Sequence, residues 1–169
     1  PAGYSFFWEI DEYGEELAAP VYYQSDTANY YACTIIPNEL GYAIAITKDP
    51  DWYGDLPGYP VFLQVDTQGQ VLYEHEAVDT INYKVVEQMV RTPEDGGYLA
   101  VGRVLVNDMG EYKPYVIKLN ANGEKQWDRI YTQYLPNQDN IFNDVVRTAN
   151  GEYYAVGGNE LETNTVGSV

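Results

Sequence analysis

The sequence predicts an all-β protein assembled from about three copies of a four-stranded antiparallel unit. Three observations carry this. Segments of the chain recur at a spacing of about 55 residues. The apolar runs between turns are short and rich in Val, Ile and Tyr, as strands are. No stretch sustains the 3.6-residue period of an amphipathic helix.

The recurrence is visible without gaps. Gly3-Tyr-Ser-Phe-Phe-Trp-Glu-Ile-Asp-Glu-Tyr-Gly14 aligns with Gly58-Tyr-Pro-Val-Phe-Leu-Gln-Val-Asp-Thr-Gln-Gly69 and with Tyr112-Lys-Pro-Tyr-Val-Ile-Lys-Leu-Asn-Ala-Asn-Gly123. The closing glycines stand 55 and 54 residues apart. A second motif lies between these segments: Gly41-Tyr-Ala-Ile-Ala-Ile46, Gly97-Tyr-Leu-Ala-Val-Gly102 and Glu152-Tyr-Tyr-Ala-Val-Gly157. Its tyrosines, Tyr42, Tyr98 and Tyr153, are 56 and 55 residues apart. Val90-Arg-Thr-Pro93 matches Val146-Arg-Thr-Ala149 ahead of it. Periods of this length signal architectures in which neighbouring units bury one another's faces.

Each period reads as four strands. The opening segment, residues 1–27, supplies strands three and four of one unit. Residues 28–81 and 82–136 supply full units. Residues 137–169 supply strands one and two of another. Within 82–136, strand one is expected at Lys84–Arg91, followed by the turn Pro93-Glu-Asp-Gly-Gly97. Strand two runs over Tyr98–Val106 and strand three over Tyr115–Asn120. Gly123 closes a hairpin turn by taking a positive φ. Strand four spans Glu124–Tyr131 and holds Trp127. Two departures stand out. Ala18 replaces the aromatic found at Tyr73 and Trp127, and Ile46 replaces the strand-two glycine.

Four antiparallel strands per repeat of this length mark a propeller blade. Asp95-Gly-Gly-Tyr-Leu-Ala-Val-Gly102, then Tyr115-Val-Ile-Lys-Leu-Asn-Ala-Asn-Gly123, Trp127 and Val145-Val-Arg-Thr-Ala-Asn-Gly151 resemble a known bacterial β-propeller repeat. That repeat is written roughly as DGGYxxxG … YLIKLDxxGxxxW. The resemblance covers nearly the whole chain. It implies a propeller domain of a secreted or surface-anchored protein, often from Bacteroidota. It says little about activity.

Twelve strands in groups of two, four, four and two would close only three blades, whereas propellers typically use four to eight. The expectation is that the chain is a segment of a longer protein. The lack of an initiator Met and the ending at Val166-Gly-Ser-Val169 favour this. Two chains sharing blades in a six-bladed ring, or an open stack with capped ends, are the alternatives.

Composition removes whole classes of function. The chain has 169 residues, with 26 acidic and 9 basic side chains and a net charge of −17. Such a balance argues against nucleic acid and against anionic lipid, both of which need clustered Lys and Arg. No apolar run is long enough for a membrane helix. One His, one Cys and three Ser leave little for zinc or for a nucleophilic triad. A triad would need Ser5, Ser25 or Ser168 beside His75, and no Gly-x-Ser-x-Gly elbow exists. His75 is expected on the outer strand of its unit, aligned with Arg129. Cys33, aligned with Met89 and Val145, is expected as a small buried hydrophobe. Residues 1–47 hold seven acids (Glu9, Asp11, Glu12, Glu15, Glu16, Asp26 and Glu39) and no Lys or Arg. This is a solvated face, or else a cation site or docking face for a basic partner.

Few residues qualify as a site. Asp49-Pro-Asp-Trp-Tyr-Gly-Asp55 loosely echoes a calcium loop, with Asp49, Asp51 and Asp55 as candidate ligands. The pattern fails at Tyr53 and Pro60, so the loop also reads as a plain acidic connection. Trp52 and Tyr53 in the same loop are candidates for sugar or peptide contact. Paired carboxylates are the one catalytic device the composition permits. In register at the strand-one ends stand Asn29, Asn82 or Tyr83, and Asn140 or Asp139, which are mostly uncharged.

The expected function is non-catalytic: a secreted or cell-surface scaffold or binding module for a protein or glycan partner, with no cofactor beyond a possible calcium ion. A carbohydrate-active enzyme with acids at a propeller axis is the rival. A subunit or cargo of a bacterial secretion or motility assembly is the third reading, and it rests on the resemblance alone.

Overall fold

The computed structural model describes residues 3–50, 57–78, 82–106, 110–132 and 139–160. Among these the regular structure is entirely β, in four antiparallel sheets. The first pairs β1 (Ser5–Phe7) with β2 (Val21–Tyr23). The second runs in chain order through β3 (Asn29–Asn38), β4 (Gly41–Asp49), β5 (Tyr59–Val65) and β6 (Val71–Glu76). The third runs through β7 (Tyr83–Thr92), β8 (Gly97–Val106), β9 (Glu111–Leu119) and β10 (Lys125–Ile130). The fourth pairs β11 (Asp139–Arg147) with β12 (Tyr153–Glu160).

The sheets stack face to face, and side-chain alternation explains the nearly continuous apolar runs. Neighbouring residues of a strand point to opposite faces. On β4 and β5, Ile44, Ile46, Val61, Leu63 and Val65 pack toward the first sheet with Tyr23, Phe7 and Val21. Ala43, Ala45 and Phe62 pack the other way, onto Val86, Met89, Tyr98, Ala100, Tyr115, Ile117 and Leu119 of the third sheet. The third sheet in turn offers Leu99, Val101 and Val116 to Val145 and Phe142 of the fourth. Small residues on one face meet large ones on the next, so the layers interdigitate.

One strand begins earlier than expected. β9 starts at Glu111, because Tyr112 and Lys113 already pair with Leu105 and Val104 of β8. Pro114 is tolerated inside it. Its carbonyl accepts the Tyr131 N–H at 3.0 Å, and its missing N–H falls on that same side, where the ladder to β10 ends.

The hairpin after each third strand is built the same way. Asp11, Asp66 and Asn120 each accept two backbone N–H groups, from residues two and four positions on, at 2.8–3.0 Å. Gly14, Gly69 and Gly123 close these turns at φ 85°, 79° and 85°. The turn before β8 uses another acid. Asp95 Oδ1 accepts the Thr92 hydroxyl at 2.5 Å and the Gly97 N–H at 3.0 Å, and Oδ2 accepts from Lys118 at 2.6 Å.

The first strand of each longer ladder is bulged. The irregularity lies between Ala32 and Thr34 on β3, between Val86 and Gln88 on β7, and between Phe142 and Asp144 on β11. The inserted residues are Cys33, Glu87 and Asn143. Gly102 lies opposite Val86 and Gly157 opposite Phe142. A Cβ on Gly102 would sit 2.0 Å from the Val85 carbonyl oxygen, and one on Gly157 1.9 Å from that of Ile141. These bulges bring the carbonyls close to the strand opposite, which carries glycine at both places. Ile46 occupies the matching place opposite Ala32 and is fully buried; nothing in the structure explains that exception.

Gly102→Ala is expected to destabilise the fold by about 2–3 kcal/mol, read as a lower urea midpoint at unchanged slope. The lysine and threonine bonds hold Asp95 down to about 2. Its contribution to stability is therefore complete above about pH 4 and lost as the pH falls toward 2. Asp95→Asn should lower the melting temperature at neutral pH and flatten its decline between pH 4 and 2; a decline identical to that of the unaltered chain would show that Asp95 contributes nothing.

Candidate functional site

The strands β3, β7 and β11 are edge strands of their sheets and contact one another in succession along one side of the stack. They bring two groups of polar residues together. One group lies at the strand ends. Asp49, the last residue of β4, stands opposite Asn29 and is buried. Its carboxylate lies close enough to Tyr83 and Tyr31 to act on both. Burial, with the Asp49 charge behind it, pushes the Tyr83 hydroxyl up to about 12. The same two causes, in the same order, raise Tyr31. The Tyr83 ring is pressed on Gly58, where a Cβ would lie 2.7 Å from the ring. Arg103 completes this end, with its guanidinium 5.4 Å from the centre of the Tyr112 ring and 3.0 Å from the Glu87 carboxylate.

The residues at the strand-one ends act as struts between sheets. Asn29 Oδ1 accepts the Gly3 N–H, and Asp139 Oδ1 accepts the Tyr112 N–H at 2.7 Å. Lys84 N–H reaches the Gly58 carbonyl at 2.8 Å. The carboxylate that register places at this end, Asp139, is thus engaged with backbone. The Lys84 ammonium is buried and paired, 2.9 Å from Asp128 and 4.9 Å from the centre of the Tyr115 ring.

The second group lines the bulges. Thr34 donates its hydroxyl to Gln88, joining β3 to β7. Asp144 accepts the Val145 N–H at 2.8 Å on β11. Glu87 and Asp144 are the acids of this row, and sequence spacing alone does not find them. Aligning Cys33 with Met89 and Val145 at 56 residues overlooks the turn after β3, which is two residues shorter than the one after β7. Register puts Cys33 level with Glu87 and Asn143, and Ile35 level with Met89 and Val145. The signal that could have shown this is the short turn Asn38-Glu-Leu-Gly41 beside the longer Thr92-Pro-Glu-Asp-Gly-Gly97. Cys33 is accordingly half-buried rather than a core hydrophobe. Its sulfur lies 3.3 Å from the Tyr31 carbonyl and 3.8 Å from the Thr47 hydroxyl. Burial raises its thiol above the ordinary value, against the opposing Thr47 bond.

Of the expected calcium ligands, Asp49 sits on β4 as above, and Asp51 and Asp55 lie outside the described residues, as do Trp52 and Tyr53. Among the described residues no three His, Cys, Asp or Glu side chains gather where an ion could be held. His75 on β6 is half-buried, against the turn at Gly123, rather than fully at the surface. Comparison of the chain with family models and with curated proteins gives no match.

Exposed aromatics gather elsewhere. Tyr4 and Tyr22 meet edge-on at 5.2 Å, and Phe6 lies 6.3 Å from Trp8 and 6.4 Å from Tyr22. These rings cover the outer side of the first sheet. A groove of about 410 Å³ runs beside them, lined by Phe6, Phe7, Trp8, Ile10, Ile35 and Ile44 among others.

The raised thiol predicts slow chemistry at Cys33. Only the thiolate attacks a disulfide reagent, and burial keeps this one protonated at pH 7. Its reaction should therefore lag that of a free thiol severalfold at pH 7 and should accelerate as the pH rises beyond about 9. A rate equal to that of a free thiol would contradict this environment.

Proposed function

We propose that the four sheets are blades of a propeller-type repeat domain and that the domain is a non-catalytic scaffold or binding module. The observation that supports this best is where the polar side chains are committed. Asp11, Asp66 and Asp95 bind backbone in turns, and Asp139 ties two sheets together. Exposed aromatic rings gather on one face, the outer side of the first sheet: Tyr4, Phe6, Trp8 and Tyr22. Rings presented this way give contact area at low entropic cost, which suits a protein or glycan partner. The resemblance to blades of secreted and surface-anchored bacterial proteins supports a role outside the cell.

The carbohydrate-active rival would draw on Glu87 and Asp144, the acids of the bulge row. Glu87 is held by Arg103 and Asp144 by the Val145 N–H, which weighs toward structural roles for both. A glycan array and a pull-down with immobilised chain test the proposal. Binding is expected, and Trp8→Ala should weaken it about tenfold or more, since a stacking ring contributes about 1–3 kcal/mol. Turnover of any polysaccharide that Glu87→Gln or Asp144→Asn abolishes would overturn it.

A further inference from the structure

The tetrapeptide Ala-Asn-Gly-Glu occurs twice, as Ala121–Glu124 and as Ala149–Glu152. Both copies form hairpin turns, the first between β9 and β10 and the second between β11 and β12. Gly123 and Gly151 take nearly the same conformation, at φ 85° and 84°. Each glycine N–H donates to the carbonyl three residues before it, Asn120 at 3.0 Å and Thr148 at 3.1 Å. Asn122 and Asn150 are both exposed. The residues and the turn are thus the same, and what differs is how each turn is held.

The first turn is held from within and from outside. Asn120 Oδ1 accepts the N–H of Asn122 at 2.9 Å and that of Glu124 at 3.0 Å. Asn120 Nδ2 donates to the Glu124 carboxylate at 2.7 Å. A Cβ on Gly123 would lie 3.4 Å from Phe62 and 3.6 Å from His75, so the turn is pressed on the second sheet. In the second turn Thr148 stands in the place of Asn120. Its hydroxyl accepts the Glu152 N–H at 3.2 Å and lies 3.3 Å from the Glu152 carbonyl. Among the described residues nothing holds the Asn150 N–H. A Cβ on Gly151 would meet Arg147 Nη2 at 3.5 Å and Glu94 Oε1 at 3.6 Å, the far ends of two flexible side chains. The exposure of this turn does not hinge on what lies beyond the fourth sheet. The matching residues of the third sheet, Pro93, Glu94 and Asp95, stay exposed although the fourth sheet packs beside them.

An asparagine followed by glycine can react with its own backbone. The glycine nitrogen gives up its proton to solvent base and attacks the asparagine Cγ. A new N–Cγ bond forms, the Cγ–Nδ2 bond breaks, and the amide leaves as ammonia after taking a proton from water. Water then opens the cyclic imide at one of its two carbonyls, leaving aspartate or isoaspartate. Nothing is oxidised or reduced, and water is the co-reactant. Glycine permits the reaction because no side chain obstructs the approach. A folded turn opposes it. The glycine N–H must first leave its carbonyl, and the asparagine must rotate until the nitrogen meets Cγ. The rate therefore follows how often the turn opens.

We propose that Asn150 is a site of spontaneous deamidation in the folded chain, and that Asn122, in the same tetrapeptide, is protected. The side chain of Asn120 pins Asn122 on both sides, whereas Thr148 pins only the residue after Gly151. Conversion brings a new carboxylate into a turn that borders the ion pair of Arg147 with Glu94, which joins the third and fourth sheets.

The test is a peptide map of the full chain, aged in mildly alkaline buffer and read by mass spectrometry for the change of Asn to Asp or isoaspartate. Asn150 is expected to convert about tenfold faster than Asn122, because each neutral hydrogen bond that must break slows opening by roughly two- to tenfold. In denaturing urea the two rates should converge, since the tetrapeptides are identical. Thr148→Asn supplies the missing acceptor and should slow Asn150 severalfold. Asn120→Thr should quicken Asn122 by a similar factor, with an unchanged far-ultraviolet spectrum. Equal rates in the folded chain would overturn the proposal. So would a difference that persists in urea, or a Thr148→Asn chain in which Asn150 converts as fast as before.

Discussion

Burial of both faces of each four-stranded sheet is the constraint from which the other features follow. A strand such as β4 alternates Ala43 and Ala45 toward one neighbour with Ile44 and Ile46 toward the other, and all four are buried. Each large aliphatic side chain so placed contributes about 1.5–3 kcal/mol. A sheet standing alone would expose both sets to water, and one with a single neighbour would expose one of them. Stability is thus a property of contacts between sheets, and it grows with the number of sheets stacked. This is why the end layers, not the interior, hold the exposed Phe6, Ile10 and Val156. It is also why the second and third sheets are the best-packed part of the chain.

Stacking sheets that share one edge forces the strands along that edge close together. Here the bulges become intelligible. An extra residue at Cys33, Glu87 or Asn143 breaks the alternation, so two consecutive residues face the same side. The second of each pair, Thr34, Gln88 and Asp144, is polar, and Thr34 and Gln88 bond across the gap between sheets. Opposite two of the three bulges, Gly102 and Gly157 make room for a displaced carbonyl. Packing, backbone geometry and the polar row are linked at these positions, and a change at one is felt at the others.

Much of this was legible in the sequence, for a local reason. Turn chemistry depends on a few adjacent residues, so Asp66 with Gly69 and Asn120 with Gly123 announced their hairpins, and the strand bounds on either side followed. The start of β9 was less legible, since Pro114 looks like a breaker until its carbonyl is seen accepting from Tyr131. The bulge row was not legible. The turn after β3, where Asn38 pairs with Gly41, is two residues shorter than the one after β7, where Thr92 pairs with Gly97, so a fixed spacing of 56 carried Cys33 past its true counterparts onto Met89 and Val145. Asp49 illustrates another limit. Its residue type and loop suggested an ion, but its surroundings of Tyr31 and Tyr83 come from β3 and β7, which only the tertiary fold brings near.

The net charge of −17 gains a physical meaning from the same geometry. A stack of sheets has many turns and two outer edges, and both need groups that bind backbone N–H or repel other strands. Asp11, Asp66 and Asp95 do the first, and Glu74 and Glu76 on the outer strand β6 do the second. Basic residues are few and committed: Lys48 to Glu76, Lys84 to Asp128, Lys113 to Glu111, Lys118 to Asp95 and Arg147 to Glu94. The acids left over make the stack's flanks repel other molecules in general. The exposed apolar side chains stand apart from those flanks: Phe6, Trp8 and Ile10 on the outer side of the first sheet, and Val146, Tyr154 and Val156 on the outer side of the fourth.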